Sequence, residues 1–394
     1  MKKQLFLVLM LSGLLLSACS NNQPTTSKNA DNPSSDIQPV SSQEPEIEVE
    51  DLGEKDFHTD LMNQYLADEW DSILTYVPKV NAEDSSYHND QSQPLPIKLE
   101  FDELSSADNY FVEIAKNVKF EDSKIVQSKE RSYDFYNAEL GQEYFFRAAE
   151  SEDDLEDADI KKFTVTDVAP RYIHVDGVIN FRDCGGWESS LVEGAKINQG
   201  LYYRCAQFNS ITADGKATMK DLGIKLDIDM RDRPPASSPA SSSDWQIDIM
   251  DAHVASGTEN YRWEGKQGSN TGIADTYKKI FEAIAEADEK PIALHCTHGA
   301  DRTGIVSWLL LGLLGVSKED CARDYVMTRF AGERAVLPSG NNSEIAKWNQ
   351  KTEALDGDTW AEKTYNHLHN DFGIEEDTLE DIRALFIPGY QKAA

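Results

Sequence analysis

The chain has 394 residues and a formal net charge of −32, from 70 acidic against 38 basic side chains. That balance excludes nucleic acid and broad anionic surfaces as partners held by charge. Setting aside the first 56 residues, for the reasons below, leaves roughly 340, long for a single core, so two domains are expected.

Residues 1–19 read as a targeting segment. Lys2 and Lys3 precede an apolar stretch from Leu5 to Leu16, which runs into Leu16-Ser17-Ala18-Cys19. A basic start, a short apolar run and this ending form a lipoprotein signal. The apolar run is too short to span a bilayer comfortably. Cys19 is therefore expected to carry the lipid, anchoring the chain to a bacterial cell membrane outside the cytoplasm. The plainer alternative is a cleaved signal beside a fortuitous cysteine. Residues 20–56 are rich in Ser, Asn, Pro and acids. Such composition does not offset its ordering entropy, and predicts a disordered acidic tether.

A small all-β sandwich is predicted over residues 57–168. A short helix is expected within 61–74, from the spacing of Leu61, Tyr65, Leu66, Ile73 and Leu74. Strands are predicted at 97–101, 110–114, 144–148 and 163–165, short runs of β-branched and aromatic residues between polar turns. The stretch Ala138-Glu139-Leu140-Gly141-Gln142-Glu143-Tyr144 resembles the turn and tyrosine corner of fibronectin type III domains. The acidic run with Glu152, Asp153, Asp154, Glu156 and Asp157 reads as solvated surface, since it lacks the Gly and alternation of an EF-hand calcium loop.

Residues 169–394 alternate helix and strand, which predicts an α/β layer with a mainly parallel central sheet flanked by helices. Thr212 caps a helix ending near Leu222-Gly223, and 224–230 follows as a strand. Ile273, Tyr277, Ile280, Phe281 and Ile284 mark one face of a helix. Residues 234–243 form a Pro/Ser-rich loop bordering the site. His367-Leu368-His369 lacks a third ligand and reads as surface, so no metal and no cofactor are expected.

The chemistry concentrates in His295-Cys296-Thr297-His298-Gly299-Ala300-Asp301-Arg302-Thr303-Gly304. An apolar run at 291–294 reads as a buried strand before it, and 305–311 as a buried helix after it. A loop at that junction turns successive N–H groups and the positive helix end toward one point, where an anion belongs. Arg302 adds a planar fork for two phosphate oxygens. The same field stabilises a Cys296 thiolate able to attack phosphorus. Burial as a structural cysteine is the bland alternative, and the surrounding pattern weighs against it.

These residues resemble the signature of the tyrosine phosphatase superfamily, and more narrowly its bacterial tyrosine/serine branch. Asn180-Phe181-Arg182-Asp183-Cys184-Gly185-Gly186 and Gly200-Leu201-Tyr202-Tyr203-Arg204-Cys205-Ala206 extend the resemblance over about 171–390. Two positions depart from the branch: Ala300, where phosphoinositide-active members often carry Lys, and His298, where a small residue is common. The resemblance implies phosphate binding by residues 297–302: Thr297, His298, Gly299, Ala300, Asp301 and Arg302. It also implies that His295 fixes the loop, and that Asp301 is the general acid, with Asp229 and Asp232 as rivals. Thr303 reads as a donor to the sulphur or a helix cap, and Arg182 and Asp183 as braces of the loop. In an exported protein Cys184 and Cys205 either form a bridge beside the site or stay as buried thiols. The implied activity is cysteine-dependent hydrolysis of phosphotyrosine or another phosphate ester. Inositol phosphate or phosphoinositide hydrolysis and a catalytically silent adhesion lipoprotein are the alternatives.

Overall fold

The computed structural model describes residues 47–67, 93–231, 247–252, 271–331 and 344–392. The signal with Cys19, most of the tether, Asp232 and the 234–243 loop lie outside the described residues.

Among the described residues seven strands come first. β1 (Val49–Lys55), β7 (Ile160–Val165), β6 (Glu143–Ala149), β3 (Tyr110–Ala115) and β4 (Lys124–Ser128) form one sheet in that spatial order. β2 (Ile97–Glu100) and β5 (Ser132–Phe135) form a separate antiparallel pair. Alternation explains β2, which buries Ile97 and Leu99 and exposes Lys98 and Glu100. β4 and β5 escaped the sequence reading because β4 is a largely exposed edge with little apolar signal.

β1 corrects the tether boundary. Its acids suggested disorder, yet Val49 to Lys55 pair in parallel with Ile160 to Val165, through a bulge between Asp51 and Glu54. Charge on an edge strand is a device against aggregation rather than a sign of disorder. Here it meets opposite charge, with Asp51 3.4 Å from Lys162.

Helix α1 (Asp60–Ala67) covers the first part of the window expected for it, and residues 68–74 lie outside the described residues. It packs toward the C-terminal half. The Tyr65 hydroxyl donates to the Arg323 carbonyl at 3.1 Å, and its ring meets Phe330 edge-on at 5.3 Å.

The second sheet has six strands among the described residues. They are β8 (Arg171–Tyr172), β9 (Arg182–Asp183), β10 (Tyr202–Cys205), β11 (Leu226–Asp229), β12 (Asp248–Asp251) and β13 (Ile292–His295), in the spatial order β12-β11-β13-β10-β9-β8. β12, β11, β13 and β10 are mutually parallel, and β9 and β8 add antiparallel pairs at one edge. Every residue of β10, β11 and β13 is buried, as in a sheet covered on both faces, and with the apolar residues this burial takes in Arg204, Asp227 and Asp229.

The helices follow the mixed α/β plan. α2 (Ala213–Asp221) is capped by Thr212, whose hydroxyl accepts the Gly215 N–H at 3.1 Å, and α3 (Thr271–Ile284) leads toward β13. α4 (Asp301–Leu313) is buried along its whole length after Asp301, as its all-round apolar sequence requires. α5 (Lys318–Val326), α6 (Glu344–Glu353), α7 (Trp360–Asn370) and α8 (Glu376–Phe386) complete the chain.

α7 overturns one surface assignment. His367 is buried, hydrogen-bonded to Asp371 at 2.6 Å and edge-on to Phe372. The polar run hid a helix whose inner face also carries Ala361, Thr364 and Leu368. No metal-ligating group of three is gathered among the described residues, and the acidic run Glu152–Asp157 is a 3-10 turn.

Candidate active site

β13 ends at His295, and α4 begins at Asp301, so the five residues from Cys296 to Ala300 form the connecting loop. That loop lies at the carboxyl end of a central parallel strand, where open α/β sheets place ligands.

The Cys296 sulphur is buried inside the turn. Burial alone would disfavour a thiolate. Against it act the Thr303 hydroxyl and N–H, the Arg302 guanidinium and the His298 N–H, and together they hold the thiol below its ordinary pKa. The Thr303 hydroxyl is buried and favours the thiolate form of the sulphur.

Arg302 is buried, and one of its N–H groups donates to the Met230 carbonyl at 3.0 Å. The end of β11 thus orients the guanidinium. Thr297 is half-buried, and its carbonyl accepts the Gln207 N–H at 3.3 Å. The His298 side chain is exposed at the rim. Ala300 takes the helix N-cap position without a side-chain cap, leaving the first N–H groups of α4 to other acceptors.

Gly299 turns the loop with φ +66°, and a Cβ there would stand 2.3 Å from the Cys205 carbonyl oxygen. Only glycine meets both demands.

His295 is fully buried behind the nucleophile. Its Nδ1 lies 3.1 Å from the Cys296 carbonyl, and its Nε2 3.1 Å from Asp227. Burial opposes a charged imidazole, but Asp227, with Asp229 farther off, holds its pKa above the ordinary value. The Phe208 ring packs against it edge-on at 4.7 Å.

The loop is braced by a buried ionic network that the sequence reading only partly anticipated. Arg182 donates to Asp324 at 2.7 Å and to the Asn180 side-chain oxygen at 2.5 Å, and Asn180 Nδ2 donates to the His298 carbonyl at 3.0 Å. Arg204 pairs with the other oxygen of Asp324 and donates to the Gly299 carbonyl at 2.8 Å. Burial works against an Asp324 carboxylate, yet the two guanidinium groups keep its pKa below the ordinary value. Asp324 was missed. Its signal was an acid between Ala322 and Tyr325 on the apolar face of α5, where both neighbours are buried.

Asp183 differs from its expected place. Its carboxylate accepts from Arg171 at 3.0 Å and from the Gly185 and Gly200 N–H groups, none of which belongs to the loop. Arg171 in turn donates to the Ala138 and Asn137 carbonyls, so this pair joins the two sheets' connections rather than the site.

Among the carboxylates, Asp229 is committed elsewhere. Arg231 grips both its oxygens, at 2.6 to 3.0 Å, and despite burial these bonds hold its pKa below the ordinary value. Asp301 opens α4 half-buried and accepts the Tyr325 hydroxyl at 3.2 Å. Cys184 and Cys205 are free buried thiols, each with its pKa pushed well up by burial. The bridge between them is not formed.

Several known proteins are similar to parts of this chain. A tyrosine-protein phosphatase of Nostoc commune is 29% identical over 146 residues, covering 34% of this chain and 49% of that protein. A Cupriavidus necator protein provisionally given the same name is 23% identical over 167 residues, covering 38% of this chain and 60% of its own length. The chain therefore spans only about half the length of the curated relatives it matches. A crystal structure of P. aeruginosa TpbA aligns at 14% identity over 46% of this chain and 96% of that one, with a TM-score of 0.28. The family model described as the tyrosine phosphatase family matches residues 173–387, more than half of the sequence, and the chain belongs to that family.

Proposed function

We propose that the protein is a cysteine-dependent phosphomonoester hydrolase acting on phosphotyrosine. One observation carries the reading: the His298 and Thr303 N–H groups and the Arg302 guanidinium converge on the Cys296 sulphur at the mouth of α4. In this mechanism the thiolate attacks phosphorus and the P–O bond to the leaving group breaks. A phosphocysteine forms, and water then attacks its phosphorus, returning the thiolate and inorganic phosphate. Arg302 and the loop N–H groups hold the charge that gathers on the phosphoryl oxygens. The names of the two bacterial relatives support a phosphotyrosine substrate. No metal or cofactor enters these steps. The test is a panel of phosphotyrosine, phosphoserine, inositol phosphate and phosphoinositide substrates under chelator, with vanadate as inhibitor. Phosphotyrosine turnover should lead the panel and vanadate should block it. Chelator-sensitive or inositol-led turnover would overturn the reading.

Asp301 is the proposed general acid, because it stands beside Arg302 and one of its two rivals, Asp229, is locked in its pair with Arg231. The leaving oxygen would take the Asp301 proton. Asp301→Asn should then slow alkyl phosphates far more than aryl phosphates with acidic phenols, which depart unassisted. Steady-state rates over a leaving-group series check this, and equal slowing would place the acid elsewhere.

The strand-rich N-terminal half is proposed as a fibronectin type III-like module. Its Tyr144 hydroxyl accepts the Glu139 N–H at 3.0 Å, as a tyrosine corner would. The order of Lys2, Lys3, the apolar run and Cys19 supports a lipid anchor outside the cytoplasm, with the following acidic residues as tether. Among the described residues no helix is long and apolar enough to cross a membrane.

A further inference from the structure

Between β4 and β5 of the N-terminal half and the end of α2 lies a cleft of about 760 Å³. Its size suits a ligand, and junctions between modules are favoured places for one. The floor is aromatic, with Tyr144 and Tyr203 buried and Tyr133, Phe135 and Tyr136 half-buried. Tyr136 is stacked on His174 at 4.4 Å, so its ring is held in place.

The charges around this floor are unbalanced. Each cation in the lining already has an acidic partner: Lys124 pairs with Asp221, Lys116 with Glu139 and Arg171 with Asp183. Glu121, Asp122 and Asp134 form no ion pair among the described residues; Lys98, opposite Asp134 across β2 and β5, leans to Glu100 instead at 3.9 Å. Aromatic faces beside uncompensated carboxylates attract a guanidinium or ammonium group, through the ring quadrupole and charge-assisted hydrogen bonds. An anionic ligand would be repelled, and a neutral sugar would leave the three carboxylates unmatched.

The backbone adds a second constraint. β4 is the end strand of its sheet, and Lys124 and Val126 on it line the cleft. An edge strand offers unpaired N–H and C=O groups to an extended chain.

We propose that this cleft binds an extended basic polypeptide segment, which pairs with β4 and seats Arg or Lys side chains on Tyr133 and Tyr136 against Asp122 and Asp134. The site is separate from the catalytic loop. Tyr203 pairs with Ala293, three residues before Cys296, which places it about 10 Å down the strand. Binding here does not depend on phosphatase activity.

Calorimetry on the full chain carrying Cys296→Ser, so that turnover plays no part, tests this. The probes are an eight-residue peptide of alternating Arg and Val, the same peptide with Glu for Arg, spermidine, and a neutral oligosaccharide. The Arg peptide should bind and the Glu peptide should not. Asp134→Asn and Tyr136→Leu should each weaken binding about tenfold. Asp122→Asn, exposed in its turn, should weaken it without any risk to folding. Asp153→Asn, exposed on the distant acidic turn, should leave the affinity unchanged. Equal weakening by Asp153→Asn would reduce the effect to attraction by net charge and overturn the proposal. So would spermidine binding as tightly as the peptide, or the oligosaccharide binding in its place. The wild-type chain should give the same affinity as Cys296→Ser.

Discussion

Cys296→Ser should lower kcat by roughly four orders of magnitude or more, the scale seen when a covalent nucleophile is removed. The serine hydroxyl does not ionise near neutral pH, so the field that favours a thiolate in wild type finds nothing to stabilise. The fold should survive, because a hydroxyl in place of a thiol fits the same buried space. Binding of a phosphotyrosine peptide should survive as well, since the loop N–H groups and Arg302 remain. Turnover, affinity and thermal unfolding measured on one preparation separate these outcomes. Residual activity near wild type would end the phosphocysteine mechanism. Wild-type enzyme carries a matching pH signature. A thiol held below its ordinary pKa is ionised above that lowered value, so kcat/KM should rise on its acidic side below the usual thiol range of about 8.5. Thr303→Val removes one of the groups that hold the thiolate and should move that limb upward.

The site's reactive half was legible because its chemistry is local in sequence. Nucleophile, phosphate cradle and guanidinium all fall between Cys296 and Thr303, on a strand and helix announced by continuous apolar runs. The supporting half was not, because it is assembled across long distances. Asp324 lies 142 residues from Arg182 and 120 from Arg204, and nothing in one sequence ties an acid on α5 to arginines on β9 and β10. Asp183 was misplaced for the opposite reason. It neighbours Arg182 in the chain, but successive residues of a strand point to opposite faces, so one turns to the loop network and the other to Arg171. β1 and α7 were hidden by polar composition, which marks an exposed face as readily as a disordered segment. Their partners, Lys162 on β7 and Phe372 after α7, supply the contacts that composition does not show.

Asp324→Asn should cost about 3–5 kcal/mol of stability, the penalty for leaving buried charge uncompensated. Asp324 is fully buried between two arginines that are themselves fully buried, so both guanidinium groups would lose their only carboxylate partner among the described residues. The melting temperature should fall by on the order of 10 °C. Activity should fall further than stability explains, because Arg182 acts through Asn180 on the His298 carbonyl and Arg204 acts directly on the Gly299 carbonyl. A looser loop misplaces the N–H groups that hold the thiolate, so kcat should drop while the acidic limb of kcat/KM moves upward. Glu319→Gln, exposed on the same helix, should change neither quantity. The pH dependence of stability gives an independent check. A carboxylate whose folded pKa is depressed contributes its full stabilisation above its unfolded value of about 3.9, and loses it as pH falls through the folded value. Wild type should therefore lose this contribution only below about pH 4, and Asp324→Asn should lack that component of acid destabilisation. Urea unfolding of both proteins from pH 7 down to 3 measures the difference directly. If the variant loses less than about 1 kcal/mol at pH 7, the arginines are held by their carbonyl acceptors alone, and the loop owes its shape to the backbone rather than to this network.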